Sequence, residues 1–171
     1  MPKRKRSEPD EAKAYLLRLL RYRPRSRAEA AARLRERGYP LEAISITLSW
    51  AEEAGLLDDR AFARLWAAER LAHRPCGTAL LRRELREKGV ASELIEQTLA
   101  ELDPDEEGLA RALARERWAR YQTLTLTEEE RRQKVFAFLR RRGFPPDLSL
   151  KAVRELMVGA EADADDPLMA D

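Results

Sequence analysis

One short pattern recurs three times in this chain and limits what it can fold into. Leu34-Arg35-Glu36-Arg37-Gly38, Leu85-Arg86-Glu87-Lys88-Gly89 and Leu139-Arg140-Arg141-Arg142-Gly143 place their glycines 51 and 54 residues apart. Each glycine is followed by a large apolar residue (Tyr39, Val90 or Phe144) and then by Pro40, Ala91 or Pro145. Leu48, Leu99 and Val153 each lie ten residues beyond their glycine. The local physics is common to all three. Cations gather near the negative end of a helix dipole. Glycine then takes the left-handed position that ends a helix. Proline suits the first turn of the next helix, where its missing N–H costs nothing. Each pattern therefore reads as a helix–glycine–helix joint, and the chain as an internal repeat.

Helix starts fall between these joints. Ser26 with Glu29 and Thr127 with Glu130 match the capping box. Asp103-Pro104 with Glu106 reads as another N-cap, and Asp58 as the cap of the helix after Gly55-Leu56-Leu57. Together these signals predict nine helices: Glu11 to Tyr22, Arg27 to Arg37, Leu41 to Ala54, Asp59 to Ala72, Thr78 to Lys88, Ser92 to Leu102, Asp105 to Arg120, Glu128 to Arg142 and Pro146 to Met157. No segment alternates with period two, so no strand is expected. The apolar stripes expected to face the core are Phe62, Leu65 and Trp66 with Ala61 and Ala68, then Val135, Phe136 and Leu139, then Leu150, Val153 and Met157.

The expected fold is all-α: three tandem three-helix repeats forming an elongated, curved array, each repeat stabilised by its neighbour. The repeats span 11–57, 58–103 and 104–158. A basic N-terminal tail, 1–10, and an acidic C-terminal tail, 159–171, are expected to be disordered.

Composition agrees with helices and with a charged partner. The chain is 171 residues long and 37% charged, where a typical soluble domain has about 25%. Its 6% aromatic content argues against a β-sandwich or barrel. The net charge of +2 hides a basic run, Lys3 to Arg6, and five acids without a base from Gly159 onward. One cysteine excludes an internal disulfide framework. No stretch reaches the ~20 apolar residues of a membrane span, and no apolar segment follows the N-terminal charges as in a secretory signal. A cytoplasmic protein without membrane attachment is expected.

Catalysis finds little support. His73 is the single histidine, and with Cys76 it lacks the further ligands a zinc site requires. Asp58 and Asp59 lie at a helix start, where capping and the helix dipole account for them. No glycine-rich phosphate loop occurs. No catalytic, metal or cofactor site is expected, and the chain reads as a non-enzyme.

The arginine clusters are the informative polar feature. Arg82, Arg83, Arg86 and Lys88 lie on the middle helix of the second repeat; Arg131, Arg132, Lys134, Arg140, Arg141 and Arg142 lie on that of the third. They either form a ridge that meets phosphates or an acidic protein surface, or they are solvated faces neutralised by nearby glutamates. A sequence-reading helix-turn-helix is disfavoured, because the Leu41–Ala54 helix is mostly apolar and carries Glu42, Glu52 and Glu53.

The stretch Gly55-Leu56-Leu57-Asp58-Asp59-Arg60-Ala61-Phe62-Ala63, with Trp66, Arg70-Leu71, the Pro75-Cys76-Gly77 loop and Leu81-Arg82-Arg83-Glu84-Leu85-Arg86-Glu87-Lys88-Gly89-Val90, resembles the central signature of the RecX family. The outer joints resemble that family's outer repeats, so the likeness spans about Ala12 to Leu156. The resemblance implies a modulator of the recombinase RecA, in recombination, DNA repair and the SOS response. Such a protein binds along the groove of the RecA filament on single-stranded DNA and inhibits ATP hydrolysis, strand exchange and coprotease activity. Asp58, Asp59, Phe62, Trp66, Leu85 and Gly89 are its structural signature here, with Phe62 and Trp66 expected in the core. The chain is expected to act as a monomer. The alternative is a helical protein that binds single- or double-stranded DNA non-specifically, without direct action on RecA.

Overall fold

The computed structural model describes residues 8–164, of which the side chains of Glu8 and of 157–164 are left aside. Among the described residues there are nine α-helices and no strand: α1 (Glu8–Tyr22), α2 (Arg27–Glu36), α3 (Leu41–Glu53), α4 (Asp59–His73), α5 (Thr78–Glu87), α6 (Ser92–Leu102), α7 (Glu106–Gln122), α8 (Glu128–Arg141) and α9 (Pro146–Ala164). They fall in three successive sets of three, so the chain is all-α and built from tandem three-helix repeats.

Three ends differ most from the sequence reading. α1 begins at Glu8 rather than Glu11, so 8–10 of the N-terminal tail expected to be disordered are helical. α7 is capped by Asp105, whose side chain accepts from the Gly108 amide at 2.8 Å. Asp103 instead takes a left-handed φ of 38°, just past the end of α6. α9 continues past Met157 through Gly159 to Ala164. Ala160, Glu161, Ala162 and Ala164 are strong helix formers, and they outweigh one glycine. Lys3 to Arg6 and the acidic residues from Asp165 onward lie outside the described residues.

The three joints close identically. The Gly38, Gly89 and Gly143 amides donate to the Arg35, Arg86 and Arg140 carbonyls. The amides of the following Tyr39, Val90 and Phe144 reach back to the Leu34, Leu85 and Leu139 carbonyls. This is the Schellman pattern, and it needs the positive φ found at all three glycines (89°, 77° and 86°). The motif also presses its flanking apolar residues together. Leu34, Leu85 and Leu139 are fully buried, each stabilising by about 1.5–3 kcal/mol relative to exposure.

The described residues pack as two compact units. The first holds those up to Ala68 together with Glu84–Leu102; the second holds Glu69–Arg83 together with those from Asp103 onward. In the first, α1 packs on α2 and α3. Its core includes Ala12, Leu16, Ala30, Leu34, Ile44 and Leu48. In the second, α7 packs on α8 and α9, and Leu113, Val135, Leu139, Phe144 and Val153 close a separate core.

Two of the expected stripes are corrected. In α4 the buried residues are Phe62, Ala63 and Ala67, whereas Ala61, Leu65 and Ala68 are exposed and Trp66 is only half-buried. The buried set is thus rotated by about one residue from the expected stripe, which the short alanine-rich pattern left poorly determined. Leu150 is 42% exposed. It lines an apolar groove of about 460 Å³ with Phe136 and Val153.

Candidate partner-binding surface

The ten basic residues singled out from the sequence have quite different surroundings. Lys88 is drawn into the first unit's structure. Its ammonium lies 3.1 Å from Glu29 Oε1 and 3.9 Å from the centre of the Trp66 ring. Burial pushes the Glu29 carboxyl upward, but hydrogen bonds and charge from Arg23 and Lys88 outweigh it and hold the group at about 2. The carboxylate is therefore ionised at neutral pH and fixed between two cations.

In the second unit Arg82 is half-buried and donates to Thr78 Oγ1 at 3.0 Å. Thr78 is itself tied to Glu106 through its amide, at 2.7 Å, and its hydroxyl, at 3.2 Å. Arg142 covers the Phe138 ring at 5.2 Å and donates to the Pro75 carbonyl at 3.4 Å. Its own carbonyl accepts from the Gly77 amide at 2.9 Å. Arg131 is half-buried, and Arg132 is ion-paired with Glu128 and Glu129. Lys134 is exposed beside Glu130, whose carboxyl is held low by the Thr127 amide and hydroxyl and by Lys134. Arg86 is exposed in the first unit.

Three arginines remain, and the fold gathers them. Arg83, Arg140 and Arg141 are exposed and line one cleft of about 620 Å³ with Leu80 and Pro145. The cleft exists because the first turn of α5 comes very close to the third joint. A Cβ on Gly143 would stand 2.5 Å from Leu80 Cβ and 2.6 Å from its amide nitrogen, so only glycine permits the approach. Arg140 spends one N–H on the Phe144 carbonyl, at 2.5 Å, which fixes its stem. A guanidinium carries five donors in a planar fork matched to carboxylate and phosphate. Three such groups at the mouth of an open, partly apolar cleft suit an acidic partner surface. Among the described residues no cluster of His, Cys, Asp and Glu could hold a metal, and no helix is long and apolar enough to cross a membrane.

The three repeats match, in order, the family models for the first, second and third three-helix domains of RecX, over residues 12–50, 58–99 and 105–153. The chain belongs to the RecX family. It is 36% identical to the regulatory protein RecX of Streptomyces coelicolor over 154 residues, covering 89% of this chain and 80% of that relative. It is 36% identical to that of Thermobifida fusca over 157 residues, covering 91% and 84%. Among solved structures, it resembles a crystal structure of regulatory protein RecX with a TM-score of 0.74 and 26% identity, over 84% of this chain and 71% of that one. The RecX of Lactobacillus salivarius shares the fold, with a TM-score of 0.75 at 21% identity, over 88% and 97%.

The six residues read from the sequence as a structural signature have roles within the fold. Asp58 Oδ1 accepts from the Arg60 and Ala61 amides at 2.8 and 3.0 Å, capping α4. Asp59 Oδ1 accepts the Arg27 amide at 2.7 Å, which ties the start of α4 to the start of α2. Phe62 is buried and stacks on Trp66 with ring centres 6.2 Å apart. Trp66 was expected in the core. It is instead half-buried, its indole N–H 3.4 Å from Glu84 and its ring beneath Lys88. Leu85 is fully buried, and a side chain on Gly89 would collide with Ala28. Sequence reasoning missed the Glu29 node. Its only sequence signal is the Ser26 to Glu29 spacing, which reads as a capping box; only half of that box forms, because Ser26 caps the Glu29 amide while the Glu29 carboxylate turns to Arg23 and Lys88.

Proposed function

We propose that this RecX-family chain binds the RecA filament on single-stranded DNA and inhibits its ATPase, strand-exchange and coprotease activities. It acts in the cytoplasm as a monomer, by contact rather than by catalysis. Family membership supports the regulatory role. The observation that carries the mode of action is the sorting of basic residues. Lys88, Arg82, Arg132 and Arg142 are engaged within their own units, and Arg83, Arg140 and Arg141 line one cleft with exposed side chains, Arg140 steadied by the Phe144 carbonyl. Charge there steers an acidic surface toward the protein and fixes its register.

The test is co-sedimentation with RecA filaments assembled on single-stranded DNA. The reading expects the chain to pellet with filaments at salt that abolishes its capture by the same DNA without RecA. Equal capture with and without RecA at every salt concentration would instead support the non-specific nucleic-acid-binding reading.

A further inference from the structure

A second acid-free basic stretch lies away from the cleft, at the joint between α1 and α2. From Ala12 to Ala28 there are six bases, Lys13, Arg18, Arg21, Arg23, Arg25 and Arg27, and no acid. The acids that approach from elsewhere are already engaged: Glu29 by Arg23 and Lys88, Glu52 by the Arg27 side chain, and Asp59 by the Arg27 amide. Arg18 and Arg21 flank Tyr22 around a small cleft of about 270 Å³. Tyr22 is 87% exposed at the last position of α1. A large aromatic ring held open to water gains nothing from burial, and here it is bracketed by cations. Arg18 is steadied by its own position over the Tyr15 ring, 5.4 Å from the centre.

Like charges also crowd the segment that follows Tyr22. Burial together with the charges of Arg23 and Arg33 lowers the proton affinity of Arg25, which is half-buried with its Nε shielded from solvent. Like charges held close destabilise one another, and an anion at the joint relieves them. The α1 dipole opposes an anion there with about half a negative charge. The bases of the joint exceed that several-fold.

We infer that the α1–α2 joint is a binding site for single-stranded nucleic acid, in which Tyr22 stacks on an unpaired base while Arg18 and Arg21 hold the adjoining phosphates. Exposed aromatics interleaved with arginine are how proteins grip single strands without reading sequence. A duplex keeps its bases stacked on one another and offers Tyr22 no face. The inference does not rest on the RecA reading, and it concerns a different surface from the Arg83, Arg140 and Arg141 cleft.

The test is fluorescence anisotropy with a labelled oligothymidylate of about 20 nucleotides and a duplex of equal length, using the full chain without RecA. The site predicts that the single strand binds more tightly than the duplex. Tyr22→Ala weakens single-strand binding about tenfold, and Tyr22→Phe restores it to within about twofold of the parent. Arg18→Gln with Arg21→Gln also weakens it and flattens the slope of log affinity against log salt by about 1.4, for two phosphates lost. The control is Arg115→Gln with Arg120→Gln, two exposed positions on α7, and it binds within about twofold of the parent. Three outcomes overturn the inference: Tyr22→Ala binding like the parent, duplex binding at least as tight as single-strand binding, or the control pair losing as much as the Arg18 and Arg21 pair. All side chains changed are exposed, so matched circular dichroism and melting curves are expected throughout.

Discussion

The Ser26 hydroxyl, fully buried, donates to the Lys88 carbonyl at 2.5 Å across 62 positions of chain. Lys88 immediately precedes a joint glycine, Gly89. The same relationship recurs within the second unit, where the Gly77 amide donates to the carbonyl of Arg142, the residue before Gly143. Ser26 and Gly77 both lie twelve residues before the joint glycine of their own repeat. In both places, therefore, the N-terminal edge of one repeat's middle helix receives the joint of the next repeat. A three-helix repeat has little core of its own, and this contact joins it to its successor.

Gly77 tests that relationship. A Cβ at this position would run into the Gly143 carbonyl and stand 2.8 Å from the Phe144 amide nitrogen, both backbone atoms unable to give way. Gly77→Ala is expected to cost about 1–3 kcal/mol, as overpacking does, which lowers the melting temperature by several degrees. Ser26→Ala is expected to cost a similar ~1–2 kcal/mol through the lost cap on Glu29. Calorimetric melting of both variants checks this, and unchanged melting of Gly77→Ala would contradict the close approach.

Glu29 makes stability depend on acid. Its folded-state carboxyl is held at about 2, below the ordinary 4.5, by Arg23 and Lys88. A depressed carboxyl stabilises the fold fully above about pH 4.5, and this contribution is lost as pH falls toward 2. Glu29→Gln is expected to lower stability at pH 7 by about 1–3 kcal/mol and to flatten the loss between pH 4.5 and about 2. Urea unfolding at several pH values measures both. Parallel pH profiles for variant and parent would show that the carboxylate is not held as described.

Trp66 and Lys88 are expected to be energetically coupled, given the 3.9 Å separation of ammonium and ring. A double-mutant cycle of Trp66→Ala and Lys88→Met should give about 0.5–2 kcal/mol of coupling. Because Trp66 is half-buried, its truncation alone should cost less than the ~3–5 kcal/mol of a core tryptophan. Additive effects of the two changes would contradict the contact.

Most of the fold could be read from the sequence because its punctuation is local. The Leu-Arg-x-(Arg/Lys)-Gly joints, the Ser26 and Thr127 caps and Asp58 each act on residues within one turn, and they mark helix ends whatever the rest of the chain does. Packing is not local. Nothing in the spacing of Phe62, Leu65 and Trp66 says that Lys88 covers the tryptophan, or that Leu65 faces solvent. The arginines show the same limit. Arg140, Arg141 and Arg142 are identical neighbours in sequence, but helical rotation and the approach of α5 turn two toward the cleft and lay the third on Phe138.

That difference supplies a sharp comparison. Arg142→Ala should destabilise the second unit by about 1–2 kcal/mol by removing the Phe138 and Pro75 contacts. Arg140→Ala with Arg141→Ala should leave folding within about 1 kcal/mol of the parent, since both side chains are exposed. Melting curves of the two variants measure this difference. An Arg142→Ala protein as stable as the parent would show that its side chain carries no structural load.

We propose that this RecX-family chain restrains RecA through the Arg83, Arg140 and Arg141 cleft. The most direct measurement is ATP hydrolysis by RecA from the same organism on single-stranded DNA, titrated with substoichiometric parent protein and with the folded Arg140→Ala, Arg141→Ala double variant. The parent is expected to lower the hydrolysis rate, and the variant to need at least about tenfold more protein for the same effect. No inhibition by excess parent protein, or equal inhibition by parent and variant, would contradict it.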